Sequence, residues 1–96
     1  MNSLQNILST LKQNKVYLHE KYGVSEIGVF GSYTRNDFTE ESDVDILVDF
    51  DRPIGWDFIS LADELEVLLN NKVDLSTRKF IKPHYWPYIS KDLVYV

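Results

Sequence analysis

Hydrophobic positions along the chain follow two different periods. Leu4, Ile7, Leu8, Leu11, Leu18 and Tyr22 fall on one stripe at helical spacing, which predicts one amphipathic helix over 3–22. Ser3 is its expected N-cap and Gly23 its left-handed stop. Ile27-Gly28-Val29-Phe30 is a short apolar run with strand character that leads directly into Gly31-Ser32. Residues 33–42 are polar and turn-rich. Over 44–50 the period becomes two: Val44, Ile46, Val48 and Phe50 take one face, Asp43, Asp45, Leu47 and Asp49 the other. A loop over 51–55 precedes a second helix over about 56–70, with Phe58, Leu61, Ala62, Leu65, Leu68 and Leu69 as its buried stripe. Asn70-Asn71 turns the chain into a short strand, Val73-Asp74-Leu75. The aromatic tail over 80–96 reads as a short helix followed by an extended piece.

The predicted order, α-β-(loop)-β-α-β-α, implies an α/β (α+β) fold in which helices pack on a small mixed sheet. At 96 residues the chain supports one core, so a single domain over 1–96 is expected. No window approaches the roughly 18 apolar residues of a membrane span, and Met1 to Gln5 lacks the basic and apolar regions of a secretory signal. Without cysteine there is neither a disulfide framework nor a thiolate metal site. These features point to the cytoplasm and away from a membrane.

Charge changes the picture in its distribution more than its total. The net charge of −5 argues against direct nucleic-acid binding, which calls for a basic face. Residues 36–66 hold eleven acids against one base, Arg52, whereas from residue 71 Lys72, Arg78, Lys79, Lys82 and Lys91 outnumber Asp74 and Asp92. Most of these acids are expected on a solvated surface, but an acidic middle also suits bound cations.

Alternation places Asp43 and Asp45 on one strand face, about 6.5–7 Å apart. Oxygen ligands at that spacing suit Mg²⁺, which binds through one or two carboxylates plus substrate phosphates, or a two-metal centre. Asp-x-Asp alone is common. Gly31-Ser32 adds specificity, because a glycine after an apolar strand lets backbone approach a ligand closely. Ser32 is expected to cap the following turn, whose N–H groups attract phosphate. At roughly 6% frequency per fixed residue, Gly-Ser-x10-Asp-x-Asp arises by chance in a chain this long with a probability on the order of 10⁻³.

These residues resemble the DNA polymerase β-like nucleotidyltransferases, and among them the minimal nucleotidyltransferases (MNT, MntA-type). The likeness lies in Gly31-Ser32-x10-Asp43-Val44-Asp45, in the flanking Glu26–Tyr33 and Ser42–Val48 segments, and in Lys72-Val73-Asp74-Leu75 with its preceding helix. It covers about residues 3–80. One departure is Asn36, where many relatives carry glycine; asparagine tolerates the left-handed conformation that turn needs. The resemblance implies a polymerase β-like palm fold and a metal-dependent transfer of AMP from ATP. Asp43, Asp45 and Asp74 would be the catalytic carboxylates holding two Mg²⁺ ions. Gly31 and Ser32 would position the β- and γ-phosphates. Arg35 has two equal readings, as a phosphate contact within the nucleotide site or as a partner of a nearby carboxylate.

Relatives that act alone usually carry a helical domain that holds the acceptor, and no room for one follows Asp74. The missing surface is therefore expected from another polypeptide. By resemblance this is a helical HEPN-type RNase toxin joined in a hetero-oligomer, and the chain is the antitoxin of a type VII toxin–antitoxin pair that adenylylates a toxin tyrosine. Two alternatives remain open: a non-catalytic antitoxin acting by contact, and nucleotidyl transfer to a small molecule. His19 and Asp49 are expected at the surface, and His84–Tyr88 in a packed terminal turn or a partner surface.

Overall fold

The computed structural model describes residues 2–96. Its elements in chain order are α1 (Leu4–Gln13), α2 (Lys15–Tyr22), β1 (Val24–Phe30), α3 (Ser32–Arg35), β2 (Val44–Phe50), α4 (Asp57–Leu69), β3 (Val73–Thr77), a 3-10 turn (Arg78–Phe80), α5 (Trp86–Ser90) and β4 (Val94–Tyr95). The four strands form one sheet in the order β3-β2-β1-β4. β1 runs antiparallel to both β2 and β4, and β2 parallel to β3. The sheet is mixed, as the element order implies.

The expected first helix is two helices broken at Asn14. Its side chain donates to the Thr10 carbonyl at 2.8 Å, and its backbone leaves the helical region at φ −103°, ψ 5°. An asparagine that satisfies the preceding carbonyl itself competes with helix continuation. The predicted ends hold: Asn6 N–H donates to Ser3 Oγ at 3.1 Å, and Gly23 closes α2 at φ 78°. Arg52 secures that end further by donating to the carbonyls of His19 and Glu20.

β1 and β3 extend beyond the predicted runs, and β4 adds a fourth strand. Polar Ser25, Glu26 and Ser76 are admitted because one sheet face lies open. On the other face Val24, Ile27, Val29, Val44, Ile46 and Val48 pack against Ile7 and Leu11 of α1, Leu18 and Tyr22 of α2, and Leu61, Leu65 and Leu69 of α4. α4 begins at Asp57, leaving Trp56 in the preceding turn with 86% of its surface exposed. Asn70 ends that helix in the left-handed region at φ 50°. Among the described residues no helix is long and apolar enough to cross a membrane.

Candidate active site

Helices cover one face of the sheet, so residues of opposite parity line the other. On β2 these are Asp45, Leu47 and Asp49, with Asp43 just before the strand. Backbone pairing sets Asp45 opposite Asp74 of β3 on one side and Phe30 of β1 on the other. Asp45 and Asp74 are thus direct neighbours across a parallel pair, with strands about 4.8 Å apart. Asp43 and Asp74 are exposed, and Asp45 is half-buried.

Gly31 follows β1 and turns the chain over this edge at φ 79°, ψ −147°. A Cβ at Gly31 would overlap Asp45 Oδ2 and come within 2.9 Å of Cγ. The absent side chain is what lets the carboxylate lie against the backbone turn. Here the structure corrects one expectation. Gly31, not Ser32, occupies the N-cap position of α3, and no side chain caps that turn. The backbone values required there are open to glycine and strained for serine. Ser32 becomes the first helical residue instead, half-buried at the head of the turn. Thr34 N–H and Arg35 N–H both donate to the Gly31 carbonyl at 3.1 Å, which tightens the turn. Asn36 closes it at φ 63°, as its tolerance of that region predicts.

Tyr33 had no assigned role from sequence, yet it anchors this turn. Its ring is buried and stacks on Phe38 with centroids 4.2 Å apart, while its hydroxyl accepts from Asn71 Nδ2 at 2.8 Å. Asn71 stands just ahead of β3, so one hydrogen bond ties the Gly31-Ser32 turn to the strand bearing Asp74. A 38-residue separation leaves no local signature of such a pair.

Electrostatics mark the same spot. Burial first, then the like charges of Asp74 and Asp43, push the Asp45 carboxyl up to about 6, against the opposing pull of Arg35. Arg35 itself binds Asp37 at 3.2 Å and Asp92 at 3.1 Å. Of its two expected roles, the structure displays the carboxylate partner, close enough to act on Asp45. Asp49 is exposed and accepts from the next backbone N–H. His19 lies at the surface, 2.5 Å from Asp51.

An implied divalent metal would draw on these carboxylates. Among the described residues no three His, Cys, Asp or Glu side chains form a ready-made cage. Mg²⁺ keeps waters and binds by one or two carboxylates plus phosphate oxygens, so a complete cage is not required. Closely placed carboxylates, one of them resisting ionisation, are oxygen donors with excess negative charge, and they fit a hard divalent cation that arrives with a polyphosphate.

Comparison with known proteins agrees with this fold. The family model described as a nucleotidyltransferase domain matches residues 11–96. The protein adenylyltransferase MntA of Thermococcus cleftensis is 45% identical over 97 residues, spanning 100% of this chain and 98% of the relative. A Methanocaldococcus jannaschii protein, provisionally named a protein adenylyltransferase, is 43% identical over 100 residues and 100% of both chains. A solved structure described provisionally as a minimal nucleotidyltransferase has a TM-score of 0.73 at 28% identity, covering 91% of this chain and 93% of that one. A crystal structure of a toxin–antitoxin with AMP-PNP shares the fold with a TM-score of 0.68 at 22% identity, over 93% of this chain and 68% of that one.

Proposed function

The chain belongs to the nucleotidyltransferase domain family, and from that premise we propose that it transfers AMP from ATP to a tyrosine hydroxyl of a partner protein. The observation that carries this reading is the contact of Gly31 with Asp45, with Asp74 in register beside them. A turn able to meet phosphate and a group of carboxylates able to meet a cation share one sheet edge.

Gly31 and Ser32 would hold the β- and γ-phosphates, and Asp43, Asp45 and Asp74 would hold two Mg²⁺ ions. When bound, the metal neutralises phosphate charge and stabilises the attacking and leaving oxygens. The acceptor oxygen attacks the α-phosphorus in line. A new O–P bond forms, the bond to the bridging β-phosphate oxygen breaks, and pyrophosphate leaves. Asp74, exposed at the open edge, accepts the hydroxyl proton. Arg35 holds the α3 turn through Asp37 and Asp92 and is placed to exchange one of them for a phosphate oxygen.

The acceptor belongs to a helical HEPN-type toxin, and the chain acts as the antitoxin of that pair in the cytoplasm. Support comes from the family relatives named as protein adenylyltransferases and from the exposed aromatic tail, where Phe80 is 80% and Tyr88 68% accessible. The same tail favours a second reading, in which the chain silences its partner by contact alone.

The deciding experiment incubates the chain, Mg²⁺ and α-labelled ATP with a helical HEPN-type protein as the candidate partner. Asp43→Asn and Asp45→Asn are expected to abolish labelling while circular dichroism stays unchanged. Labelling retained in both variants overturns the catalytic reading. Neutralisation retained without labelling favours contact.

A further inference from the structure

The open sheet face is acidic where it bears Asp43, Asp45 and Asp74, but it changes character one step further along. Leu47 follows Asp45 on this face, about 7 Å away, and is only 3% exposed. It lies outside the main core cluster. Arg78 and Tyr95 share a small cleft with it, together with Glu26, Val48 and Asp49.

Arg78 follows β3 in the alternation Asp74, Ser76, Arg78, about 13 Å from Asp74 along the chain. Its Cζ stacks 3.7 Å from the centre of the Trp86 ring, which fixes a long side chain that would otherwise wander. Among the described residues no carboxylate lies within ion-pairing distance of it. Tyr95 comes from β4, paired with Gly28; a Cβ at Gly28 would meet its Cδ1 at 3.2 Å. A side chain at position 28 would crowd the tyrosine where it now lies.

In-line displacement gives this wall a role. The attacking hydroxyl must approach opposite the leaving pyrophosphate. With the β- and γ-phosphates at Gly31-Ser32, beyond the Asp45 end of the sheet, the hydroxyl arrives from the opposite direction, over Leu47. We propose that Arg78 and Tyr95 form the acceptor-side wall of the site, and that Arg78, held by Trp86, engages a carboxylate beside the acceptor tyrosine. This rests on the adenylyl-transfer reading. Arg78 selects the partner chemistry: it is a fixed cation with no carboxylate partner among the described residues, on a face whose other charges would repel an acidic segment. A bidentate guanidinium–carboxylate pair supplies both attraction and register.

The test uses two short fluorescein-labelled peptides, one with tyrosine between aspartates and one with tyrosine between asparagines. Each is titrated by anisotropy into the chain with Mg²⁺ and a non-hydrolysable ATP analogue, and each is assayed for label transfer from ATP. The wild type is expected to prefer the acidic peptide at least about 10-fold, the worth of one charge-assisted pair. Arg78→Ala should reduce that preference to within about 2-fold, while the affinity for a fluorescent ATP analogue stays unchanged. Arg78→Lys should keep part of the preference. Equal binding of both peptides by the wild type, or a preference that survives Arg78→Ala, overturns the proposal. So does a 10-fold loss of nucleotide affinity, which would put Arg78 on the nucleotide side. Selective binding without any label transfer sinks the adenylyl-transfer reading and leaves the Arg78 contact standing.

Discussion

Gly31 and Asp45 pack with no room for a side chain between them: a methyl group on the glycine would fall on Asp45 Oδ2 and lie 2.9 Å from Cγ. The two residues are fourteen positions apart, and the pairing of Phe30 with Asp45 brings them together. Glycine here serves two needs at once, a backbone at φ 79° and room for a carboxylate.

Gly31→Ala should therefore cost more than a left-handed alanine alone, about 2–4 kcal/mol of stability against the usual 1–2. Label transfer should fall at least about 100-fold as the carboxylate is displaced. A double variant, Gly31→Ala with Asp45→Ala, removes the clash and should be more stable than the sum of the single losses. Chemical denaturation of the four proteins in the cycle measures this; strict additivity would show that Asp45 is not what the methyl group strikes.

Asp45→Asn should raise stability while removing activity. The folded Asp45 carboxyl sits at about 6, above its ordinary 3.8. Its contribution to stability is therefore full below 3.8 and lost as pH rises through about 6. In EDTA the variant should match the wild type near about pH 4 and exceed it by about 2–5 °C in Tm near about pH 8. A variant that gains nothing at high pH would mean that the neighbouring carboxylates do not strain the site.

Glu64 fastens α4 to α2 from the far side of the core. Its Oε1 accepts from Tyr17 and Lys21 at 3.0 Å and from Tyr22 at 3.3 Å. Burial opposes its charge, but the hydrogen bonds from Lys21 and Tyr17 outweigh it and hold the carboxyl below its usual value. A lowered acid contributes stability above its unfolded value of 4.5 and loses it as pH falls through the folded one. Glu64→Gln should cost about 1 kcal/mol at neutral pH, with the difference from wild type closing below about pH 4. Label transfer should be untouched. Urea titrations across pH provide the measurement.

Gly28→Val tests the docking of the tail. Its added carbons would press on Leu93 Cδ1, 2.8 Å from a Cβ, and on the Val94 carbonyl at 3.2 Å. β4 also rests on the bond from Val96 N–H to the Ile27 carbonyl. The variant should lose about 1–3 kcal/mol by overpacking and expose residues 91–96 to carboxypeptidase, with the rest of the chain resistant. A tail that stays protected would show that β4 tolerates a side chain beneath it.

Local periodicity made much of this chain legible. Seven residues of alternation, broken only by Leu47, place β2 to the residue, because a strand buried on one face cannot slip without turning every side chain over. The stripe Leu61, Leu65, Leu69 locates α4 for the equivalent helical reason, and Asn36 and Gly23 announce left-handed positions by residue type. The same alternation separates Asp43 and Asp45 from the core before any fold is known, and the family resemblance supplies Asp74 as their companion.

Tertiary pairing decided the rest. Asn14 is the exception, a local choice: its side chain takes the Thr10 carbonyl in the turn where the apolar stripe is interrupted between Leu11 and Leu18. Gly31 replaces Ser32 as the cap because backbone strain is invisible in a dipeptide that suits either arrangement. The nearness of Asp45 to Asp74, the bond from Asn71 to Tyr33, and the meeting of Arg78 with Tyr95 over Leu47 all join residues from separate elements. Such contacts arise from strand order and register, which are set by how the whole sheet buries one face, and no window of neighbouring residues carries that information.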